Sequence, residues 1–479
     1  MAKSEYIPTI GIECHVQLKT DTKLFAAVSN DARSAEPNTL VSHICFGLPG
    51  ALPALNERAV ELSCKAAFAL GVSPQKFSKF DRKHYFYPDL PKGYQISQFS
   101  DPIVVGGHVD IEVDGEKKKI GIVRAHIEED AGKTTHPAGK DYSLVDLNRA
   151  GTPLLEIVSE PEIHSAKEAK AYAQKLYLLM KYADVSDVDL YHGNMRFDVN
   201  VSVSKDPKNL GTRTETKNLN SFKAVERAVE YEIKRQIEEI EKGREIIQET
   251  RGWDDAKQKT TSQRGKEEAH DYRYFPDPDI PPLNLSDQFI KSAQLAFEKK
   301  NFYVIREKLV KAGHLSNQDL DTLFNNPEAV DFALMIIDKK VKTSVAEKVL
   351  DWVINVIPSF IDDYSAFESD KVDPLILLAE AYDEEKLISS RAKEGVKNLF
   401  KDEEFNVSEF IKQNETVSDE SELEIIVEKV LSENEQAAND VANGEMKAIG
   451  FLVGQIMKAT KGKANPGMVQ KIIKQKLKV

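Results

Sequence analysis

Three short segments, far apart in the chain, bring acidic and imidazole side chains to positions where strand alternation makes them useful. In Ile10-Gly11-Ile12-Glu13-Cys14-His15-Val16-Gln17-Leu18 every second residue from Ile10 to Leu18 is apolar, and Glu13, His15 and Gln17 fall between them. Side chains of a strand point alternately to its two faces, so the apolar set faces a core and the polar set shares the other side. Met195-Arg196-Phe197-Asp198-Val199-Asn200-Val201-Ser202-Val203 alternates in the same way and offers Arg196, Asp198 and Asn200. The third segment, Ile127-Glu128-Glu129-Asp130, is expected to add its carboxylates to that surface. Adjacent carboxylates repel unless a cation or a proton lies between them. Oxygen-rich ligands with one imidazole suit Mg²⁺ or Mn²⁺ better than zinc. The chemistry implied is metal and phosphate binding on an open sheet face.

Two further segments bear on it. Arg213-Thr214-Glu215-Thr216-Lys217, read as a strand, puts Arg213, Glu215 and Lys217 on one face, either as a salt-bridge ladder or as a carboxylate flanked by phosphate-binding cations. Phe80 to Tyr94 interleaves Arg82, Lys83 and His84 with Tyr85, Phe86 and Tyr87. That is either a substrate loop able to touch nucleotide bases or an aromatic-anchored structural loop. Gly132-Lys133-Thr134 is not a phosphate-binding P-loop, because the glycine needed five residues earlier is Ile127.

These segments have to be held by a scaffold. A helix is expected from Asn56 to Leu70, closed by Gly71. Another runs from Ser165 to Ala183, with Ser165 and Glu168 as a capping box, and a third spans Phe222 to Lys242 after Ser221. The strands lie between these helices, which predicts an α+β domain on a largely antiparallel sheet over residues 1–292. Phe275 to Pro282 is proline-rich and marks the change to helical periodicity. Residues 293–405 then form an all-α domain, and acidic residues between 402 and 421 precede a small α-helical tail domain, 406–479. Asn465-Pro466 opens its last helix. From Met457 to Val479 there are seven lysines and no acid, which describes either a phosphate-binding helix or a solvated one.

Composition narrows the function classes. A chain of 479 residues, 41% hydrophobic and 30% charged, is a soluble globular protein of about two to four domains. No apolar run reaches the roughly 18 residues of a membrane span, and no signal peptide precedes the first strand. Three cysteines make no disulfide framework, and a cytoplasmic location is expected. A net charge of −13 argues against nucleic-acid binding by the whole surface, though not by a local patch.

The strand segments, together with Asn148-Arg149-Ala150-Gly151-Thr152-Pro153-Leu154-Leu155-Glu156-Ile157-Val158-Ser159-Glu160-Pro161, Lys217 to Phe222, Asp271 to Pro276 and Gly450 to Pro466, closely resemble the B subunits of bacterial glutamyl-tRNA(Gln)/aspartyl-tRNA(Asn) amidotransferases. The resemblance implies a cradle domain like the glutamine-synthetase catalytic sheet, then a helical domain and a tRNA-binding tail. It implies ATP and Mg²⁺ as cofactors and phosphorylation of the Glu or Asp side chain of Glu-tRNA(Gln) or Asp-tRNA(Asn). Ammonia from a separate amidase (A) subunit then displaces the phosphate, and a small C subunit completes the assembly. On this reading Glu13, His15, Glu128, Glu129, Asp198 and Glu215 are the candidate metal ligands. Arg196 and Lys217 are the phosphate partners. Arg82, Lys83, His84 and Tyr85 hold substrate, and Lys458, Lys461 and Lys463 contact tRNA. The family's zinc-binding C-x-x-C region reads Ser42-His43-Ile44-Cys45 here, so no structural zinc is expected. The amidase's Ser/Ser/Lys constellation is absent, and no glutaminase activity is expected of the chain alone. A free-standing carboxylate–amine ligase and a non-catalytic RNA-binding scaffold are the competing readings.

Overall fold

The computed structural model describes residues 6–206, 208–265, 272–361, 366–416, 420–460 and 463–477. The chain divides into two units, Met1–Phe302 and Tyr303–Val479. It is mixed α/β, with a large, mainly antiparallel sheet followed by a helical C-terminal region.

In the first unit the principal strands are β1 (Ile7–Gln17), β2 (Asp81–His84), β3 (Tyr94–Ser97), β4 (Glu116–Glu129), β5 (Pro153–Ser159), β6 (Met195–Ser204), β7 (Thr214–Leu219), β8 (Glu249–Asp254), β9 (Lys259–Gly265) and β10 (Phe275–Pro276). They line up as β9-β8-β7-β6-β1-β5-β4-β3-β2-β10, and two short strands, Val104–Val105 and His108–Val113, also pair with β4. The β7–β8 pair is parallel and the others are antiparallel. β1 lies between β5 and β6, so the segment that opens the sequence is a central strand.

Alternation along β1 is as expected. Ile10, Ile12, Cys14, Val16 and Leu18 are buried, while Glu13, His15 and Gln17 are only half-buried on the other face. Phe197, on the apolar face of β6, meets Phe222 at the start of α3 (Phe222–Glu241) with ring centroids 6.3 Å apart. Phe222 in turn meets Tyr177 of α2 (Ala166–Tyr182). Those helices, with α1 (Glu57–Ala69), begin at Ser165, Ser221 and Asn56, whose side chains accept from Glu168 N, Ala224 N and Arg58 N. Each cap satisfies a backbone donor that helix geometry leaves unpaired. The capping box at α2 is incomplete, because Glu168 turns to His164 N (3.0 Å) and to Lys118 Nζ (2.8 Å). Gly132 is a packing glycine: its N–H donates to Asp89 O at 2.9 Å, and a Cβ there would lie 2.8 Å from Asp146 O.

The second unit is helical from Asn317–Phe324 through Val407–Asn414 and again from Glu420–Glu433 to Pro466–Leu477. The last four helices share an aliphatic core in which Leu423, Val427, Leu452, Ile456, Ile472 and Ile473 are fully buried. Asn465 Oδ1 caps the final helix, accepting from Gly467 N and Met468 N. Lys461, and Asp271 of the Asp271–Pro276 motif, lie outside the described residues.

Candidate active site on the open face of the sheet

Register assembles the site. Arg196 of β6 lies opposite His15 of β1, His15 opposite Glu156 of β5, and Glu156 opposite His126 of β4. Directly paired residues of antiparallel strands share a face, so this row runs across the open side of the sheet. Glu128, two residues from His126, joins it. His15 Nε2 is 3.5 Å from Glu128 Oε1 and 3.3 Å from Glu156 Oε2. His126 Nε2 is 3.7 Å from Glu128 Oε2 and 3.6 Å from Glu156 Oε2. One ligand atom each of His15, Glu128 and Glu156 lies within 4.8 Å of the others, close enough to hold one metal ion.

The electrostatics follow from this packing. Burial alone would lower the His15 pKa, but the hydrogen bond and charge of Glu156, with the charge of Glu128, raise it to about 9. Burial alone would raise the Glu156 pKa, and the charges of His126 and His15 hold it well below the usual carboxylate range. Glu13 differs. Its pKa is raised by burial and by the charges of Glu156 and Glu215, with Lys217 opposing.

Cations surround these groups. Lys217 Nζ sits 2.6 Å from Asp198 Oδ2 and 3.0 Å from Glu215 Oε1, while Thr250 Oγ1 donates to Glu215 Oε2 at 2.9 Å. Arg196 Nη2 donates to Asp130 Oδ2 at 2.8 Å, and its buried Nε has no hydrogen-bond partner among the described residues. Glu13 accepts from Asn200 Nδ2 at 3.0 Å. A cavity of about 580 Å³ opens over His15, Glu128, Arg196, Asp198 and Lys217, with Lys83 and Tyr85 on its wall. A second, of about 780 Å³, lies along the same two strands over Glu13, Asn200 and Arg213.

Several sequence expectations are redistributed. Glu129 is not with Glu128. It is the next residue on β4, so it points to the opposite face, where its carboxylate is paired with Lys92 and accepts from Ile96 N at 2.9 Å. Asp130, just past the strand, is neutralised by Arg196 and Arg149. The run of three carboxylates is therefore stable through three separate sets of partners. Residues 82–84 form a strand, so the substrate group splits by parity. Lys83 and Tyr85 line the cavity. Arg82 is turned away and bound to Asp277 and Asp279 at 2.9 and 3.0 Å, with His84 beside Phe275. In the tail, Lys458 is exposed and Lys463 half-buried. The absence of acids within the tail does not leave all its lysines unpaired, because Lys476 reaches Glu424 and Glu428 of a preceding helix at 3.0 and 2.7 Å.

Glu156 and His126 were not among the expected ligands. His126 had a visible signal: Arg124-Ala125-His126-Ile127-Glu128 alternates as cleanly as β1. Glu156 sits alone in an apolar run, and only register reveals its partner.

Comparison with known proteins identifies the family. The GatB/GatE catalytic domain matches residues 8–291, and the GatB domain matches residues 336–477. The chain is 43% identical over 484 residues to the B subunit of the aspartyl/glutamyl-tRNA(Asn/Gln) amidotransferase of Carboxydothermus hydrogenoformans, covering 99% of each. It is 42% identical over 481 residues to the protein of that name from Persephonella marina, covering 99% of this chain and 100% of that one. A relative of that name from Brevibacillus brevis is 41% identical over 483 residues, with 99% of each covered. With full-length identity at this level and both domains matched, the chain belongs to the GatB family, the B subunits of aspartyl/glutamyl-tRNA(Asn/Gln) amidotransferases.

Proposed function

We propose that this chain activates the side-chain carboxylate of Glu or Asp carried on tRNA and completes its amidation, giving Gln-tRNA(Gln) or Asn-tRNA(Asn). A carboxylate is a poor electrophile because neither oxygen leaves. Attack by a carboxylate oxygen on the γ-phosphorus of ATP forms an acyl phosphate and releases ADP. Ammonia then adds at the carbonyl carbon and expels inorganic phosphate. Phosphoryl transfer depends on positioning and on neutralising charge more than on a protein nucleophile. Lys83, Arg196 and Lys217 stand where they neutralise phosphate oxygens and the substrate carboxylate, and Lys217 is held in place by Asp198 and Glu215. His15, Glu128 and Glu156 would hold Mg²⁺, which their donor set suits. Such an ion would supply positive charge to offset the negative charge of the transferring phosphoryl group. Glu13, two residues from His15 on the same face, lines the second cavity.

The observation that carries this reading is the juxtaposition of His15, Glu128 and Glu156 at ligand distance, with His15 and Glu128 lining the same cavity as Lys83, Arg196 and Lys217. The finer features belong to the same proposal. They are a glutamine-synthetase-like cradle over residues 1–292, a helical domain over 293–405 and a tRNA-binding tail over 406–479. They also include an amidase subunit as ammonia source, a small C subunit and a cytoplasmic setting. Among the described residues no helix is long and apolar enough to cross a membrane. The test is ADP release by the chain assembled with its amidase partner, with Glu-tRNA(Gln), with free glutamate, or with neither. Stimulation by the charged tRNA alone is expected. Stimulation by free glutamate would make the protein a small-molecule ligase and overturn the proposal.

A further inference from the structure

Among the described residues Tyr191 is the most exposed large hydrophobic side chain, at 91%, yet it lines the cavity that holds His15 and Glu128. It is presented by a tight turn. His192 N donates to Asp189 Oδ1 at 3.0 Å, Asn194 N donates to Asp189 O at 2.8 Å, and Gly193 adopts φ +72°, in the left-handed region that favours glycine. The His192 ring meets Tyr191 edge to face at 5.1 Å and leaves the phenol ring uncovered. The turn runs directly into β6, whose Arg196 and Asp198 lie on the cavity floor. A lone exposed tyrosine needs no explanation. One on a constrained turn at the mouth of a charged cavity has the form of a stacking platform, since every base offers a π-face and aromatic side chains receive unstacked bases.

We propose that Tyr191 stacks under the 3′-terminal adenine of the charged tRNA and so places the aminoacyl group over the cavity floor. This rests on the amidation reading above. Two substrates must meet there, and the open face offers two cavities along β1 and β6. The one over Glu13, Asn200 and Arg213 leaves room for the nucleotide away from Tyr191. The one bounded by Tyr191 is left for the end of the tRNA. An aminoacyl group whose carboxylate reaches the cationic floor leaves its terminal base at the mouth, where the tyrosine stands.

The experiment compares wild type, Tyr191→Ala and Tyr191→Phe, each assembled with the amidase partner. KM is measured for Glu-tRNA(Gln) and separately for ATP. Base–aromatic stacking is worth enough that Tyr191→Ala should raise the KM for Glu-tRNA roughly tenfold. The KM for ATP should stay within about twofold, and Tyr191→Phe should restore tRNA affinity because stacking needs the ring and not the hydroxyl. Fluorescence gives a second readout. A tRNA with 2-aminopurine as its 3′-terminal base should be quenched on binding to wild type and Tyr191→Phe, and much less by Tyr191→Ala. A rise in the KM for ATP with an unchanged KM for tRNA would assign the tyrosine to the nucleotide and overturn the proposal. So would no change in either constant with quenching intact. Failure of the amidation reading looks different, because wild type itself would then show no tRNA-dependent ADP release.

Discussion

The open sheet face and the tail bundle are held together by opposite kinds of forces. On the face, His15, His126, Glu128 and Glu156 are charged or polar groups crowded within a few ångströms, each depending on its neighbours for charge balance. Burying such groups costs free energy that apolar residues would not cost. In the tail the core is aliphatic, from Leu423 to Ile473, and the charges lie outside it. The first region is arranged by strand register, which links residues more than a hundred apart in sequence. The second is arranged by helical period, in which side chains three and four residues apart share a face. Substitutions should therefore separate activity from stability along this divide.

The largest effect is expected on the face. Glu128→Gln keeps the shape of the side chain and removes one of two carboxylates from the group around His15. Amidation of Glu-tRNA should fall by more than about a hundredfold, because even partners that only orient metal ligands contribute about 10- to 100-fold. His15→Ala should do the same. Both leave the apolar face of the sheet intact, so far-UV circular dichroism should change little, while removing one partner of this buried group should lower the melting temperature. A variant lacking both side chains that amidates at the normal rate in limiting Mg²⁺ would show that the site lies elsewhere.

The tail should respond in the reverse way. Leu452→Ala empties a fully buried position in the aliphatic core. Such truncations cost about 2–5 kcal/mol, enough to loosen a small bundle. Hydrogen exchange should rise in residues 423–473 and stay slow in β1 and β6. The KM for Glu-tRNA should increase while kcat at saturating tRNA falls much less, since losing uniform binding mainly raises KM. Loss of protection in β1 instead would mean that the two regions do not fold independently.

What could be read from the sequence follows the same divide. Alternation placed Glu13, His15, Asp198 and Asn200 on one face, and Ser165, Ser221, Asn56 and Asn465 marked the helix starts, because both patterns are local. Pairings across the sheet were not legible. That His15 meets Glu156 depends on which strand lies beside β1 and in what register, and the parallel β7–β8 pair depends on a connection that includes α3. Glu129 was misplaced by treating consecutive carboxylates as one cluster, although alternation by itself separates Glu128 from Glu129. Applied one step further upstream, the same rule would have added His126.

The smallest predicted effect separates lysines that differ only in their partners. A lysine that neutralises an RNA phosphate releases a counterion, so each one lost should flatten the dependence of log affinity on log salt by a little under one unit, roughly 0.7–0.9. Lys458 is exposed on the last turn of the Ile449–Ala459 helix, and Lys463 follows it. Lys476 is already bound to Glu424 and Glu428. Substituting Lys458 and Lys463 together with alanine should lower the salt slope of Glu-tRNA binding by about one to two units. Lys476→Ala should leave it nearly unchanged, because that charge is already neutralised within the bundle. Surface ion pairs of this kind contribute about 1 kcal/mol or less, so Lys476→Ala should not unfold the tail and confuse the comparison. The measurement is filter binding of Glu-tRNA to the assembled enzyme over a salt series. Equal slopes for the double variant and wild type would make the basic tail a solvated surface or a docking site for a protein partner. A flattened slope for Lys476→Ala would mean that tRNA displaces the two glutamates, and that the bundle opens on binding.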